Sequence, residues 1–139
     1  MLNPLFCYGS LNPTEISGRL SVKDTDSLFS LSKRAVLKDH KRVFKGFSER
    51  WRGGTSNAEI CEGSIVSGYI VYLTTEQIDI LDMRENVPQD HTREQKVVET
   101  ADGKEIIYLY LSTSDSYNSP TKEYVRAVED TIRFSKTLR

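Results

Sequence analysis

Long apolar runs are missing from this chain, and so are clusters of metal-ligating residues. No stretch is apolar for long enough to span a bilayer. The only two cysteines, Cys7 and Cys61, sit in strand-like runs rather than at spaced loop positions. That pattern excludes a disulfide framework and reads as a reduced, cytoplasmic protein with two small buried thiols. Neither cysteine has the electropositive local sequence that lowers a thiol pKa, so neither reads as a nucleophile. His40 and His91 are the only histidines, and no CxxC, HxxxH or carboxylate cluster accompanies them, so no metal site is expected. An excess of either charge is also missing: 19 Lys and Arg stand against 20 Asp and Glu. No basic field exists to gather phosphate backbones or anionic lipid, which argues against nucleic acid and membrane partners. Met1 to Ser10 lacks a positive flank and a long apolar core and meets Pro4 early, so it does not read as a signal peptide.

What is there fits one core. A chain of 139 residues that is 37% hydrophobic suits a single domain, residues 1–139, with no repeat and no linker. Leu5 to Tyr8 is a short apolar strand that empties into Gly9-Ser10 and Asn12-Pro13, a tight loop where a ligand could sit. Thr14 to Lys33 is polar without a sustained period and reads as a surface excursion with one short helical turn. Ala35 to Phe47 reads as a strand, Trp51 to Asn57 as an irregular turn around Gly53-Gly54, and Ala58–Glu62 and Ser64–Leu73 as two strands around Gly63. Thr74 with Gln77 forms a capping-box pattern that predicts a helix to about Asn86, before Pro88. Gln95–Thr100 and Glu105–Ser112 flank Asp102-Gly103, a hairpin signal. Ser119-Pro120 offers an N-cap and first-turn proline for a last helix in which Tyr124, Val128 and Ile132 recur at helical spacing. This order is α+β rather than alternating βα.

One residue conflicts with its surroundings. On a helix beginning at Thr75, Glu85 shares a face with Ile78, Leu81 and Asp82, because spacings of three and four residues match the helical turn. A carboxylate in the last turn also faces the negative end of the helix dipole, at a cost of up to about 1 kcal/mol. Either Glu85 frays into solvent, or it is held there for chemistry. Ile80 and Met83 occupy the opposite side, so both faces of this helix carry apolar residues.

Tyr8-Gly9-Ser10-Leu11 after a strand, followed by Leu81-Asp82-x-x-Glu85 after a Val/Tyr-rich strand, resembles the gamma-glutamylcyclotransferase-like superfamily. The likeness spans nearly the whole chain, with Gly53-Gly54, Gly68, the Asp102-Gly103 hairpin ending in Tyr110, and the Ser119-Pro120 helix in the family's order. It implies a small mixed β-barrel with flanking helices and a cavity whose Tyr8–Leu11 loop holds a gamma-glutamyl head group through backbone groups. It implies Glu85 as general base, no metal or other cofactor, a small-molecule gamma-glutamyl substrate, and a monomer or homodimer. The implied reaction is intramolecular: the substrate's own α-amine attacks its γ-carbonyl, giving 5-oxoproline and a free amine. Glycine permits close backbone approach, and adjacent loop amides can hold an oxyanion. Tyr110 is a candidate for a hydrogen bond in the cavity, although an aromatic in a hairpin strand also suits a core. Two departures from the family pattern stand near the acid: Asn86 where Gly is frequent, and His91 and Thr92 where a tyrosine is common. Asn tolerates a left-handed helix end, so the turn can survive. Removal of a gamma-glutamyl group from a specialised metabolite, and a non-catalytic module binding a small ligand or a protein, are the alternatives on the same fold.

Overall fold

The computed structural model describes residues 1–139. The chain opens with β1 (Asn3–Cys7), α1 (Pro13–Leu20), α2 (Thr25–Leu28), β2 (Lys33–Ser48) and β3 (Gly53–Leu73). It continues with α3 (Thr75–Arg84), β4 (His91–Thr100), β5 (Gly103–Ser112) and α4 (Lys122–Ser135). The strands close into a barrel in the order β1-β3-β2-β4-β5. All pairings are antiparallel except the one between β1 and β5, so the barrel is mixed. No helix is long and apolar enough to cross a membrane.

Strand β1 shows how the core divides. Its side chains alternate across the sheet, and both faces are buried, which explains an apolar run without polar interruption. Phe6 and Tyr8 join Leu37, Val66, Ile70 and Ile107 in one cluster. Leu5 and Cys7 join Ile16, Tyr69, Leu73 and Leu81 in a second cluster, which includes residues of α1 and α3.

Several elements differ from the sequence-based expectation, each for a physical reason. The Thr14–Lys33 excursion holds two helices, α1 and α2. The Asn12 side chain accepts from the Glu15 amide at 2.9 Å and Pro13 occupies the first turn, while Ile16 is completely buried; tertiary burial outweighs the weak local period. Asp24 caps α2 in the same way, accepting from the Ser27 amide at 3.1 Å. The expected irregular turn at 51–57 is confined to its start: Gly53 already pairs with Ser48, and Ser56 and Asn57 are buried strand residues. Gly63 interrupts no strand, because its φ of +84° and a register shift opposite Lys38 and His40 let β3 run on as one bent ribbon. Strand β4 begins at His91, ahead of the expected Gln95, and Thr121 rather than Ser119 caps the last helix.

Other expectations hold. Thr74 and Gln77 form a reciprocal capping box on α3, and Gly103, with a φ of +116°, ends the tight turn between β4 and β5. The helix face is also settled: Ile78 and Leu81 are buried, whereas Ile80 and Met83 are exposed.

Candidate active site

The Tyr8–Leu11 loop leaves β1 and is pinned without spending its amides. The Tyr8 hydroxyl donates to the Tyr110 carbonyl at 2.6 Å, and the Leu11 carbonyl accepts from the Tyr69 hydroxyl at 2.6 Å. The Asn12 side chain donates to the Ala127 carbonyl at 3.3 Å, tying the end of the loop to α4. The backbone amides of Gly9, Ser10 and Leu11 donate to no protein acceptor. Gly9 does not adopt positive φ; its need is close approach. A Cβ there would lie 3.2 Å from both the Ser56 Cβ and the Tyr124 hydroxyl, so the glycine is explained by crowding and not by turn geometry.

Opposite stands the end of α3. Glu85 caps the helix through its amide, which donates to the Leu81 carbonyl at 2.8 Å, and Asn86 turns the chain away with a φ of +53°. An asparagine thus supplies the left-handed step where glycine is the common solution. The Glu85 side chain is 15% exposed, and its Oε1 accepts from the Arg19 guanidinium at 3.0 Å. His91 Nδ1 lies 2.8 Å from the Glu85 carbonyl and 3.6 Å from Oε2. A carbonyl can only accept, so the His91 ring proton is on Nδ1 in the neutral form.

Between loop and helix end lies a cavity of about 420 Å³. Tyr8, Gly9, Ser10, Leu11, Glu85 and Tyr110 all line it, so the fold brings together the six residues expected at the site. Of the two positions that replace the common tyrosine, His91 lines the cavity and Thr92 does not. The Tyr110 hydroxyl is already committed, donating to Asp82 Oδ1 at 2.7 Å, and Arg93 Nε donates to the same oxygen at 2.9 Å. Asp82 therefore holds β4 and β5 against α3. Burial first, and then the bond to Asp82, push the Tyr110 phenol well above its ordinary range, so it remains a neutral donor.

Sequence reading passed over Arg19, Arg50, Trp51, Ser56 and Tyr124, which also line the cavity. For Arg19 a signal existed: Asn12-Pro13 is a helix start, and Glu15 with Arg19 is an i,i+4 pair. Ser56 and Tyr124 meet only in three dimensions, where the Ser56 amide donates to the Tyr124 hydroxyl at 2.6 Å.

Cys7 borders the cavity but is only 2% exposed, and burial pushes its thiol up to about 12. Cys61 is half-buried, in contrast to the expected pair of buried thiols. A thiol reagent at pH 8 should therefore label Cys61 in the native protein and reach Cys7 only after denaturation, since roughly one Cys7 in 10⁴ is thiolate at that pH. Mass mapping of the labelled peptides checks this; rapid native labelling of Cys7 would show that its strand opens.

A closed barrel whose cavity is lined by the partly buried Glu85 carboxylate and by a loop of unspent amides defines the class of protein to compare. The chain matches the family described as gamma-glutamyl cyclotransferase, AIG2-like, over residues 5–129, and belongs to that family. The fold is similar to that of a solved gamma-glutamyl cyclotransferase, with 18% identity over 99% of this chain and 86% of that one and a TM-score of 0.73. It is also similar to YkqA from Bacillus subtilis, with 20% identity over 96% of this chain and 49% of that one and a TM-score of 0.77. A yeast gamma-glutamyl cyclotransferase specific to glutathione is similar at 12% identity over 95% of this chain and 87% of that one, with a TM-score of 0.67. No curated protein sequence matches the chain.

Proposed function

We propose that this protein is a cyclotransferase that converts a gamma-glutamyl amine or gamma-glutamyl amino acid to 5-oxoproline and a free amine. The observation that carries this reading is the placement of the Glu85 carboxylate across one cavity from the unpaired amides of Gly9, Ser10 and Leu11, in a chain of this family.

Glu85 takes a proton from the substrate's α-ammonium group. The freed amine attacks the γ-carbonyl carbon, forming the ring C–N bond and moving the carbonyl electron pair onto oxygen. Loop amides stabilise that oxyanion. Collapse of the intermediate breaks the bond to the leaving amine, which receives the proton from Glu85, and the ring nitrogen passes its second proton to the carboxylate thus freed, leaving the lactam N–H. One carboxylate serves every transfer, and folding the substrate inside the cavity supplies much of the rate. The Ser10 side chain takes no part in this scheme, so Ser10→Ala should change kcat/KM less than about threefold, because the main-chain amide survives.

The test is mass-spectrometric detection of 5-oxoproline after incubation with gamma-glutamyl dipeptides, gamma-glutamyl-ε-lysine, glutathione and gamma-glutamyl alkylamines. Release of 5-oxoproline from at least one supports the reading and identifies the amine class. Absence from all of them, with a folded protein, would favour the non-catalytic alternative.

A further inference from the structure

Arg19 stands in the cavity beside Glu85, yet the proposed reaction leaves it without a task. Its side chain is 13% exposed, and NH1 donates to Glu85 Oε1 at 3.0 Å. Glu15, one turn earlier on α1, lies 3.9 Å from the Arg19 guanidinium, beyond hydrogen-bond reach. Glu15 is instead clamped by Arg50, with contacts of 2.6 and 2.9 Å. A guanidinium carries five N–H donors, and Arg19 spends one of them on the protein. None of its other nitrogens is a sealed, unsatisfied atom, and Arg19 lines the cavity.

Other cations along the wall are engaged or outlying. Arg50 is exposed, bound to Glu15 and stacked 4.7 Å from the Trp51 ring centre. Lys45 pairs with Glu59 at 3.6 Å and lies over the Tyr117 ring. Arg84 is exposed at the end of α3. Arg19 is the cation in direct contact with the carboxylate.

We propose that Arg19 binds the α-carboxylate of the gamma-glutamyl head group, so that the Glu85–Arg19 pair is a receptor for a zwitterionic amino acid. This assignment rests on the cyclotransferase reading for the identity of the ligand. The two charges of an α-amino acid share one carbon, and a carboxylate next to a guanidinium presents the complementary charges side by side. Substrate entry exchanges one partly buried ion pair for two: ammonium on Glu85 and carboxylate on Arg19. Neither protein charge is left unpaired in the exchange, which avoids the main cost of opening a buried pair. The planar guanidinium can grip the carboxylate with two parallel N–H bonds. Position follows from the chain: Asn12 ends the loop and starts α1, so the loop and Arg19 are set by one cap.

The test compares two ligands that share a lactam and differ in the carboxylate, 5-oxoproline and 2-pyrrolidinone, by NMR titration of wild type, Arg19→Gln and Arg19→Lys. Wild type should bind 5-oxoproline at least about tenfold more tightly. Arg19→Gln should bring the two affinities within about twofold of each other, and Arg19→Lys, which keeps the charge, should retain part of the difference. Arg19→Gln also frees the Glu85 carboxylate, 3.0 Å away in the native pair, which repels 5-oxoproline and not 2-pyrrolidinone; the Arg19→Gln/Glu85→Gln double variant removes that repulsion, and the two affinities should still lie within about twofold there. A wild-type ratio near one, binding of neither lactam, or an unchanged ratio in both variants would overturn the assignment. If Arg19→Gln does not fold, the Lys variant and the wild-type ratio still decide. Selective, Arg19-dependent binding of 5-oxoproline without turnover of any gamma-glutamyl compound would refute the cyclotransferase reading while leaving the carboxylate site standing.

Discussion

Replacing Glu85 by Gln should lower kcat for 5-oxoproline formation by about a hundredfold or more in a protein that still folds, with some loss of melting temperature because Arg19 loses its counter-charge. Gln has the same shape, and its side-chain oxygen can still accept from Arg19, which is 3.0 Å from the native carboxylate. The Glu85 amide bond that ends α3 belongs to the backbone and is unaffected. What Gln cannot do is take the proton of an α-ammonium group, and without that step the amine has no lone pair for attack. The effect should thus fall on kcat more than on KM. Turnover assays with melting curves separate this from a loss of fold. If Glu85→Gln keeps full activity while Ser10→Ala abolishes it, a serine nucleophile becomes the better mechanism.

Gly68→Ala should destabilise the protein by ~3 kcal/mol, a fall of roughly 10 °C in melting temperature. Gly68 lies in β3 beside the strand that leads into the binding loop. A Cβ there would overlap the Cys7 carbonyl oxygen and come within 3.0 Å of the Phe6 ring. The obstacle is backbone, which cannot rotate away as a side-chain tip would. Cys7 pairs with Tyr69 and Phe6 with Ile70, so relief requires β1 to separate from β3. The same shift would displace Tyr8, whose hydroxyl holds β5 at 2.6 Å. Activity should fall with stability, whereas Glu85→Gln loses far more activity than stability. A melting temperature within 2 °C of wild type would show that the β1–β3 contact is looser than its geometry requires.

The strands, the capping box and the hairpin were legible because each depends on neighbouring residues. Thr74 and Gln77 cap α3 from within one turn, and Asp102-Gly103 turns β4 into β5 locally. Helix α1 falls in a stretch that reads as a surface excursion with one short helical turn, because its buried face is short: Ile16 and Ser17 are its only buried residues. The 53–57 segment read as a turn because Gly53-Gly54 signals a break. Here the small residues admit the chain at 118–121, whose Ser119 carbonyl accepts from the Gly54 amide at 3.0 Å.

The site divides along the same line. By itself the sequence determined that Glu85 shares a face with Ile78 and Leu81, that Gly9 and Ser10 follow a strand, and that Asn86 can take a left-handed step. These follow from helical period, strand ends and backbone sterics within a few residues. Only the tertiary structure decided that Glu85 faces the loop across one cavity, that Tyr110 is spent on Asp82, and that Arg19 and His91 stand at the carboxylate. Arg19 and Glu85 are 66 residues apart in sequence. Their contact is set by α1 and α3 packing on the same closed barrel, and no local rule of period or propensity encodes that packing.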